Sequence, residues 1–283
     1  MNDTATPADQ AVWTRVEWVQ GGPLDLMTAR MARTHFAPHS HEEYAIGACF
    51  AGLEVIRCRG GLYYSGPDSV VVIEPGESHT GGPAIAEGMA YRVAYPATSL
   101  LVDATSVAPH FPEPVFRDPE LAERLRRAHV ALTRGTDPLE GEARLLSALA
   151  DLVARHARPA PSAPGGADAG ADDLVARVVM ERFADELVAP PSLAEIAGDL
   201  GMSRYRLIRT FRATVGMPPY AWLAQHRVHR ARALLERGHR PAEAAALTGF
   251  ADQAHLTRWF RRVLAVTPGA FRNSVQDPVR RAG

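Results

Sequence analysis

From Leu24 to about Tyr95 the apolar positions come in short runs, each broken by Gly or Pro. The segments Leu53–Cys58, Ser69–Glu74 and Met89–Tyr95 have the β-branched or alternating character of strands. Turn signals stand at Gly60-Gly61, Gly66-Pro67, Pro75-Gly76 and Gly81-Gly82-Pro83. Many short strands with frequent turns predict a barrel or jelly roll. Ahead of them, residues 1 to about 20 start polar and then carry Trp13, Val16, Trp18 and Val19, as an arm or a first strand would. The period changes at Asp118. Asp118 and Pro119 read as a cap and first turn, and Leu121, Leu125 and His129 follow at spacing four. After a break at Gly135–Pro138 a second helix carries Leu145, Leu146, Leu149, Leu152 and Val153. That stripe either packs on the chain's own barrel or pairs with a second chain. Pro159 to Ala171 has no bulky apolar residue and predicts a linker. Every periodic segment beyond it is helical.

Those later helices repeat. Ser192 caps a predicted helix Leu193–Leu200, Gly201 supplies a turn tolerant of positive φ, and Ser203 caps a second helix. Leu207 and Phe211, four apart, share its buried face, which turns Tyr205, Ile208, Arg209 and Arg212 outward. Pro241 opens a second copy. Ala245 and Gly249 repeat Ala197 and Gly201 at an offset of 48, whereas Asp252, Leu256 and Phe260 repeat Ser203, Leu207 and Phe211 at 49. The second turn is therefore one residue longer. Its outward face holds Ala254, Thr257, Arg258 and Arg261, with Gln253 and His255 at the edge. Between the copies lies an amphipathic helix, Pro218 to Glu236, with Arg227, Arg230 and Arg232 on its polar side. Two helix-turn-helix units, predicted at 192–213 and 240–263, have the chemistry to enter successive major grooves of double-stranded DNA.

Charge sharpens this picture. The net charge of −1 conceals a split: residues 172 to 283 carry 17 Arg against 11 acids, and residues 1 to 171 carry 14 Arg against 21. Every basic side chain is Arg, which can fork onto phosphate or guanine. A polyanion partner is expected for the C-terminal half. No apolar run follows a basic start and no apolar stretch is long enough to span a bilayer, so neither a signal peptide nor a membrane segment is expected. Cys49 and Cys58 make no disulfide framework, and two reduced thiols suit the cytoplasm.

The stretch SLAEIAGDLGMSRYRLIRTFRATVGMPPYAWL, then RARALLERG, then PAEAAALTGFADQAHLTRWFRRVLAVTPGAFR resembles the DNA-binding domain of the AraC/XylS family of bacterial regulators. The resemblance covers about residues 174 to 274 and implies seven helices, with both recognition helices in the major groove on one DNA face. It implies base contacts from Tyr205, Ile208 and Arg209 in the first unit and from Gln253, Ala254, His255 and Arg258 in the second. Arg204, Arg212, Thr257 and Arg261 complete the expected DNA-binding set. Ile208 and Ala254 cannot hydrogen-bond a base edge and would touch a thymine methyl or be silent.

The acidic half carries His39-Ser40-His41, then Pro75-Gly76-Glu77-Ser78-His79. Two His at spacing two on a strand share a face. The pattern resembles the cupin barrel, specifically the effector-binding domain that the AraC family places before its DNA-binding domain. The resemblance implies a small-molecule effector, with His39, His41, Glu43, Tyr44, Tyr63, Glu74, His79 and Arg92 as candidate lining. His39, His41 and His79 match the three His of metal-binding cupins, but Ala45 and Ile46 stand where their Glu should fall. No cofactor is expected, and a three-His metal site is the alternative. Glu43 shares the parity of His41. An Arg with several His would suit a carboxylate.

The resulting expectation is an α+β multidomain chain. A cupin-like β-barrel (1–105) is followed by a helical extension for dimerisation (106–158), a linker (159–171), an all-α DNA-binding domain with two helix-turn-helix units (172–275) and a tail (276–283). The function expected is a cytoplasmic, effector-responsive transcription factor, homodimeric and working with RNA polymerase. It is not expected to be an enzyme. The competing readings are a cupin metalloenzyme fused to a DNA-binding domain and an architectural DNA binder without an effector.

Overall fold

A computed structural model of the chain describes residues 9–16, 22–105, 108–134, 137–158 and 167–276. It divides into two compact units at the 160/161 boundary. Trp18 and Val19, residues 159–166 of the expected linker and the tail from 277 onward lie outside the described residues.

The first unit is two antiparallel sheets and a helical layer. The larger sheet has the order β1 (Gln10–Val16), β2 (Leu24–Met31), β8 (Met89–Tyr95), β3 (Ala45–Gly52), β6 (Ser69–Ile73), β9 (Val115–Arg117). The smaller has the order β5 (Gly61–Ser65), β4 (Glu54–Cys58), β7 (His79–Pro83). The predicted strands Leu53–Cys58, Ser69–Glu74 and Met89–Tyr95 correspond to β4, β6 and β8, and the Trp13 segment is a strand rather than an arm. Helix α1 (Thr98–Thr105) follows β8, α2 (Pro119–Arg134) lies on the larger sheet, and α3 (Pro138–His156) packs against α2.

Register decides which side chains meet those helices. Leu26 stands opposite Ala94, Ile46 opposite both Ala94 and Val72, and Ala48 opposite Val70. All of these join the core formed with Leu121, Leu125, Leu145, Leu149 and Leu152 of α2 and α3. The stripe on α3 is thus largely spent inside the same unit, against α2, which itself lies on the sheet, leaving Leu139 (65% exposed) and Leu146 (40% exposed) outside. At roughly 25 cal/mol per Å² of apolar area, each fully buried Leu contributes about 1.5–3 kcal/mol, enough to make sheet and helix pair one unit rather than a barrel with a detachable extension. The extension also donates β9, an edge strand on β6 that the periodicity did not reveal, because three residues are too few for an alternating signal.

The second unit is helical: α4 (Ala167–Asp185), α5 (Leu193–Asp199), α6 (Arg204–Val215), α7 (Pro219–Glu236), α8 (Pro241–Leu247), α9 (Gln253–Leu264) and α10 (Pro268–Gln276). These seven, counted among the described residues, match the number implied by the family resemblance. Helix α4 starts at Ala167, inside the predicted linker, where an Ala-rich sequence is a good helix former without any apolar stripe. The caps are those expected. Ser192 accepts from Glu195 N while Glu195 returns to Ser192 N, Ser203 accepts from Arg206 N, and Asp252 accepts from His255 N. Leu207 and Phe211 in one copy and Leu256 and Phe260 in the other are fully buried.

The two turn glycines are not equivalent. Both sit in the left-handed region, Gly201 at φ +61° and Gly249 at φ +78°. A Cβ on Gly201 would meet nothing within 4 Å, but one on Gly249 would lie 2.8 Å from Arg227 and 2.9 Å from the Leu187 carbonyl oxygen. Gly201→Ala is therefore expected to cost about 1 kcal/mol, the left-handed penalty alone. Gly249→Ala should cost clearly more in urea unfolding, and equal losses would contradict the packing difference.

Candidate functional site

On α6 and α9 the outward residues are held by helices whose opposite faces are locked in the core. Arg204, Tyr205, Ile208, Arg209 and Arg212 are all exposed, Tyr205 to 76%. The Arg209 guanidinium stands 6.0 Å from the Tyr205 ring centre. Tyr205 and Ile208 border a cleft of about 660 Å³ whose other wall is Ser192, Leu193 and Ala194 at the start of α5. On α9, Gln253, Ala254, Arg258 and Arg261 are exposed. His255 and Thr257 are only half-exposed. The His255 ring packs edge-on against Phe250 at 5.2 Å, and the Thr257 hydroxyl donates to the Gln253 carbonyl at 2.8 Å. Both are partly used by the fold before any ligand arrives.

The polar side expected for α7 is corrected by the structure. Arg227 is buried and donates from Nε and Nη2 to the Leu187 carbonyl, at 3.0 and 2.8 Å, so it ties α7 to the end of the segment after α4. Arg232 is buried, paired with Glu236 at 3.1 Å and set beside the Phe271 ring. Only Arg230 of the three remains exposed.

In the first unit the three predicted His come together. Ring centroids of His39 and His79 are 4.2 Å apart, those of His39 and His41 5.0 Å, and those of His41 and His79 5.3 Å. All three are buried, and one ring nitrogen of each lies within 4.8 Å of the others. A two-way backbone pairing between His39 and His79, at 2.9 and 2.8 Å, docks the extended His39 segment alongside β7. The Nδ1 atoms of His39 and His79 face the carbonyls of Ala37 and Glu77 at 2.8 and 3.1 Å. A carbonyl only accepts, so each Nδ1 carries the proton and each Nε2 keeps its lone pair. Burial lowers the pKa of His39 to about 3, with the neighbouring His79 adding to the effect, and burial lowers His79 to about 4. Both are neutral imidazoles at neutral pH, the form a metal ion takes.

These geometries agree with the sequence comparisons. The family profile described as AraC-like ligand binding domain matches residues 21–149, and the one described as helix-turn-helix domain matches residues 196–274. The chain is an AraC-type transcription regulator. Among its relatives, the HTH-type transcriptional regulator YbfI of Bacillus subtilis (strain 168) is 25% identical over 229 residues, 78% of this chain and 81% of that one. Apo ToxT K231A from Vibrio cholerae strain SCE256 superposes with a TM-score of 0.56 at 11% identity, covering 89% of this chain and 98% of that one. Unsaturated fatty acid-bound wild-type ToxT from the same strain gives 0.52 at 11% identity, covering 95% of each chain. At that identity the likeness is one of fold.

The remaining candidates of this AraC-type regulator do not all reach the His cluster. Tyr44 faces the helices instead. It is buried against Phe111, with its hydroxyl donating to the Pro109 carbonyl at 2.7 Å. Arg92 stands opposite Ala48 and Thr28, on the same helix-side face. Glu74 cross-links a loop: it accepts from Phe111 N at 2.7 Å and pairs with Arg59 and His110 at 3.2 and 3.0 Å. Tyr63 is half-buried with its ring over Gly61. Glu42 and Glu43 form a bend, with β3 starting only at Ala45, so parity along a strand does not apply to Glu43, which is half-buried.

The structure adds residues that spacing did not reveal. Tyr95 lies 5.0 Å from His41 and stacks on Trp13 at 5.0 Å. Phe36 lies 5.6 Å from His39. Alternation in Met89–Tyr95 already puts Tyr91, Val93 and Tyr95 on one face, but which face only the pairing tells. Glu54 is a buried carboxylic acid on β4, and desolvation raises its pKa to about 8.

Two opposed linkages follow. Glu54 holds its proton in the folded state but loses it near pH 4.5 when unfolded, so its contribution falls as pH rises from about 4.5 to about 8. His39 and His79 resist protonation when folded, so theirs falls as pH drops below about 6.5, toward about 4 for His79 and about 3 for His39. Replacing Glu54 with Gln should flatten the decline of Tm between pH 6 and 8 and leave the acid limb in place. An identical alkaline slope in wild type and E54Q, read by thermal denaturation, would refute the assignment.

Proposed function

We propose that this regulator reads an asymmetric DNA site, with α6 in one major groove and α9 in the next, and that a small molecule bound in the barrel sets its affinity for that site. The observation that carries the reading is the pair of capped helices, each locked by a Leu–Phe core and each presenting exposed Arg outward. Arg209 and Arg258 are the matched base-reading anchors, with Tyr205 and Gln253 beside them. Arg204, Arg212 and Arg261 serve the phosphates. Ile208 and Ala254 meet thymine methyls, while His255 and Thr257 contribute at the edge. Successive grooves on one face are about 34 Å apart, and α7, at about 1.5 Å per residue over its 18 residues, is the spacer. The units differ in turn length and in outward chemistry, so no palindrome is expected within one chain's footprint.

The protein acts in the cytoplasm as a non-enzymatic regulator, with RNA polymerase at the same promoter as its protein partner. No described helix is long and apolar enough to cross a membrane. The apolar residues left outside on α3, Leu139 and Leu146, support a homodimer through that face. Within the barrel, the neutral imidazoles of His39 and His79 favour an uncharged polar ligand. A fatty acid of the kind bound by ToxT would want a cation there. Arg92 stands on the other face, and Arg15, opposite Asp25, is committed to that carboxylate by two contacts of 2.8 Å. The convergence of three ring nitrogens also favours a second reading of the same site, a bound transition metal as effector or cofactor, held by His39, His41 and His79.

Arg209→Ala and Arg258→Ala should each cost about 1–3 kcal/mol on the cognate site and relax base preference at one position. Arg212→Ala should weaken all sequences alike and reduce the salt slope by about one. Gel-shift titrations over sequence and salt check both, and unchanged preference in the Arg209 and Arg258 variants would sink the base-reading roles. For the barrel, elemental analysis of the purified protein decides between the readings. Near-stoichiometric zinc, iron or nickel that vanishes in His39→Ala supports the metal. Metal-free protein whose Tm rises with a neutral metabolite, but not in that variant, supports the uncharged ligand.

A further inference from the structure

The helix-side face of the larger sheet carries a second concavity, away from the His cluster. It is an open groove of about 450 Å³ between Arg92 on β8, the C-terminal half of α2 and the first turns of α3. Such a volume suits a small metabolite. Its charge is lopsided: Arg92, Arg126, Arg127, Arg134 and Arg144 line it against only Glu123 and Glu140. Glu123 is shared by Arg126 and Arg127, and Glu140 is taken by Arg144 at 2.7 Å. Among the described residues, no carboxylate pairs with Arg92 or Arg134, and the Nε of Arg126 is buried without a hydrogen-bond partner.

The fold builds this surplus deliberately into a partly dry place. A register shift between Cys49 and Ala51 bulges β3 at Phe50. The Phe50 ring then lies 4.3 Å below the Arg92 guanidinium and 5.2 Å from that of Arg30. Burial, followed by repulsion from Arg134, Arg126 and Arg30, pulls down the pKa of Arg92. Guanidinium groups crowded without anions cost stability, and an anion placed among them recovers it through forked, charge-assisted hydrogen bonds.

We propose that this cleft is a ligand site for a small organic phosphate, separate from the barrel interior and held chiefly by Arg92, Arg126 and Arg134. Its ligand would bridge β8 to α2 and lie against the start of α3, so occupancy would brace the helix pair on the sheet. The inference does not depend on what the barrel binds.

The test is a thermal-shift titration of the full chain with glycerol 3-phosphate and with inorganic phosphate, against sodium chloride at matched ionic strength. Glycerol 3-phosphate should raise Tm saturably, inorganic phosphate more weakly, and chloride not at all. Arg134→Gln, at an exposed position, should weaken the apparent affinity at least tenfold while leaving the ligand-free Tm equal or higher, because it relieves repulsion. Arg92→Gln should weaken it as much. Arg212→Ala, on the DNA-binding face, should keep the full shift. The proposal is overturned if no phosphate gives a saturable shift, if the shift persists in both cleft variants, or if Arg212→Ala removes it.

Discussion

Successive side chains on a strand point to opposite faces, and in the first unit both faces of the larger sheet are put to use. Strand β8 shows the consequence. Ala90, Arg92 and Ala94 go toward α2 and α3, while Tyr91, Val93 and Tyr95 go toward the interior where Tyr95 meets His41. Two chemically opposite environments therefore sit back to back on one sheet. On the inner side burial has stripped His39 and His79 of charge. On the outer side the guanidinium groups of Arg134, Arg126 and Arg30 crowd around Arg92. A one-residue slip of register would exchange them. The apolar core shared by sheet, α2 and α3 prevents that slip, since it would expose Leu26, Ile46, Val70 and Val72 together.

The second unit solves a different problem. A recognition helix must expose polar groups on one face and still be rigid, and a short helix alone is marginal in water. Each unit meets this with a side-chain cap at the start, a left-handed residue after the end and a Leu–Phe pair inside. The central helix α7 supplies the common wall. Part of its basic charge is consumed in doing so: Arg227 satisfies backbone carbonyls beyond α4, and Arg232 is held by Glu236 beneath α10. The positive charge of the C-terminal half is thus a poor count of its DNA-facing charge. The surface that remains is concentrated on α6 and α9, where the family comparison also places the helix-turn-helix match.

The two halves differ in how far their residues could be read in advance. The repeat of Gly201 and Gly249, of Ser203 and Asp252, and of the Leu–Phe pairs is local information, because helices are built from contacts three and four residues apart. Caps, turns and outward faces followed from spacing alone, and the family from the resemblance of the stretches that carry them. The convergence of His39 and His41 with the distant His79 was also legible, through a motif rather than through geometry. What spacing missed was the orientation of Arg92, Tyr44 and Glu74 and the burial of Arg227 and Arg232. Each depends on which partner strand or helix arrives on which side.

The sequence by itself determined the division into a strand-rich and a helical half, the two capped helix-turn-helix units with their exposed Arg209 and Arg258, and the three His that meet. The first two are set by short-range periodicity and by turn chemistry, and the third was legible only through its motif. The tertiary structure alone decided that the helical extension is part of the sheet's core, that Arg92 looks outward into an arginine-rich cleft, and that His39 and His79 are neutral. A strand's alternation defines two faces without naming which is inside, and a side chain's pKa depends on how much water packing removes. Both are set by contacts between residues far apart in the chain.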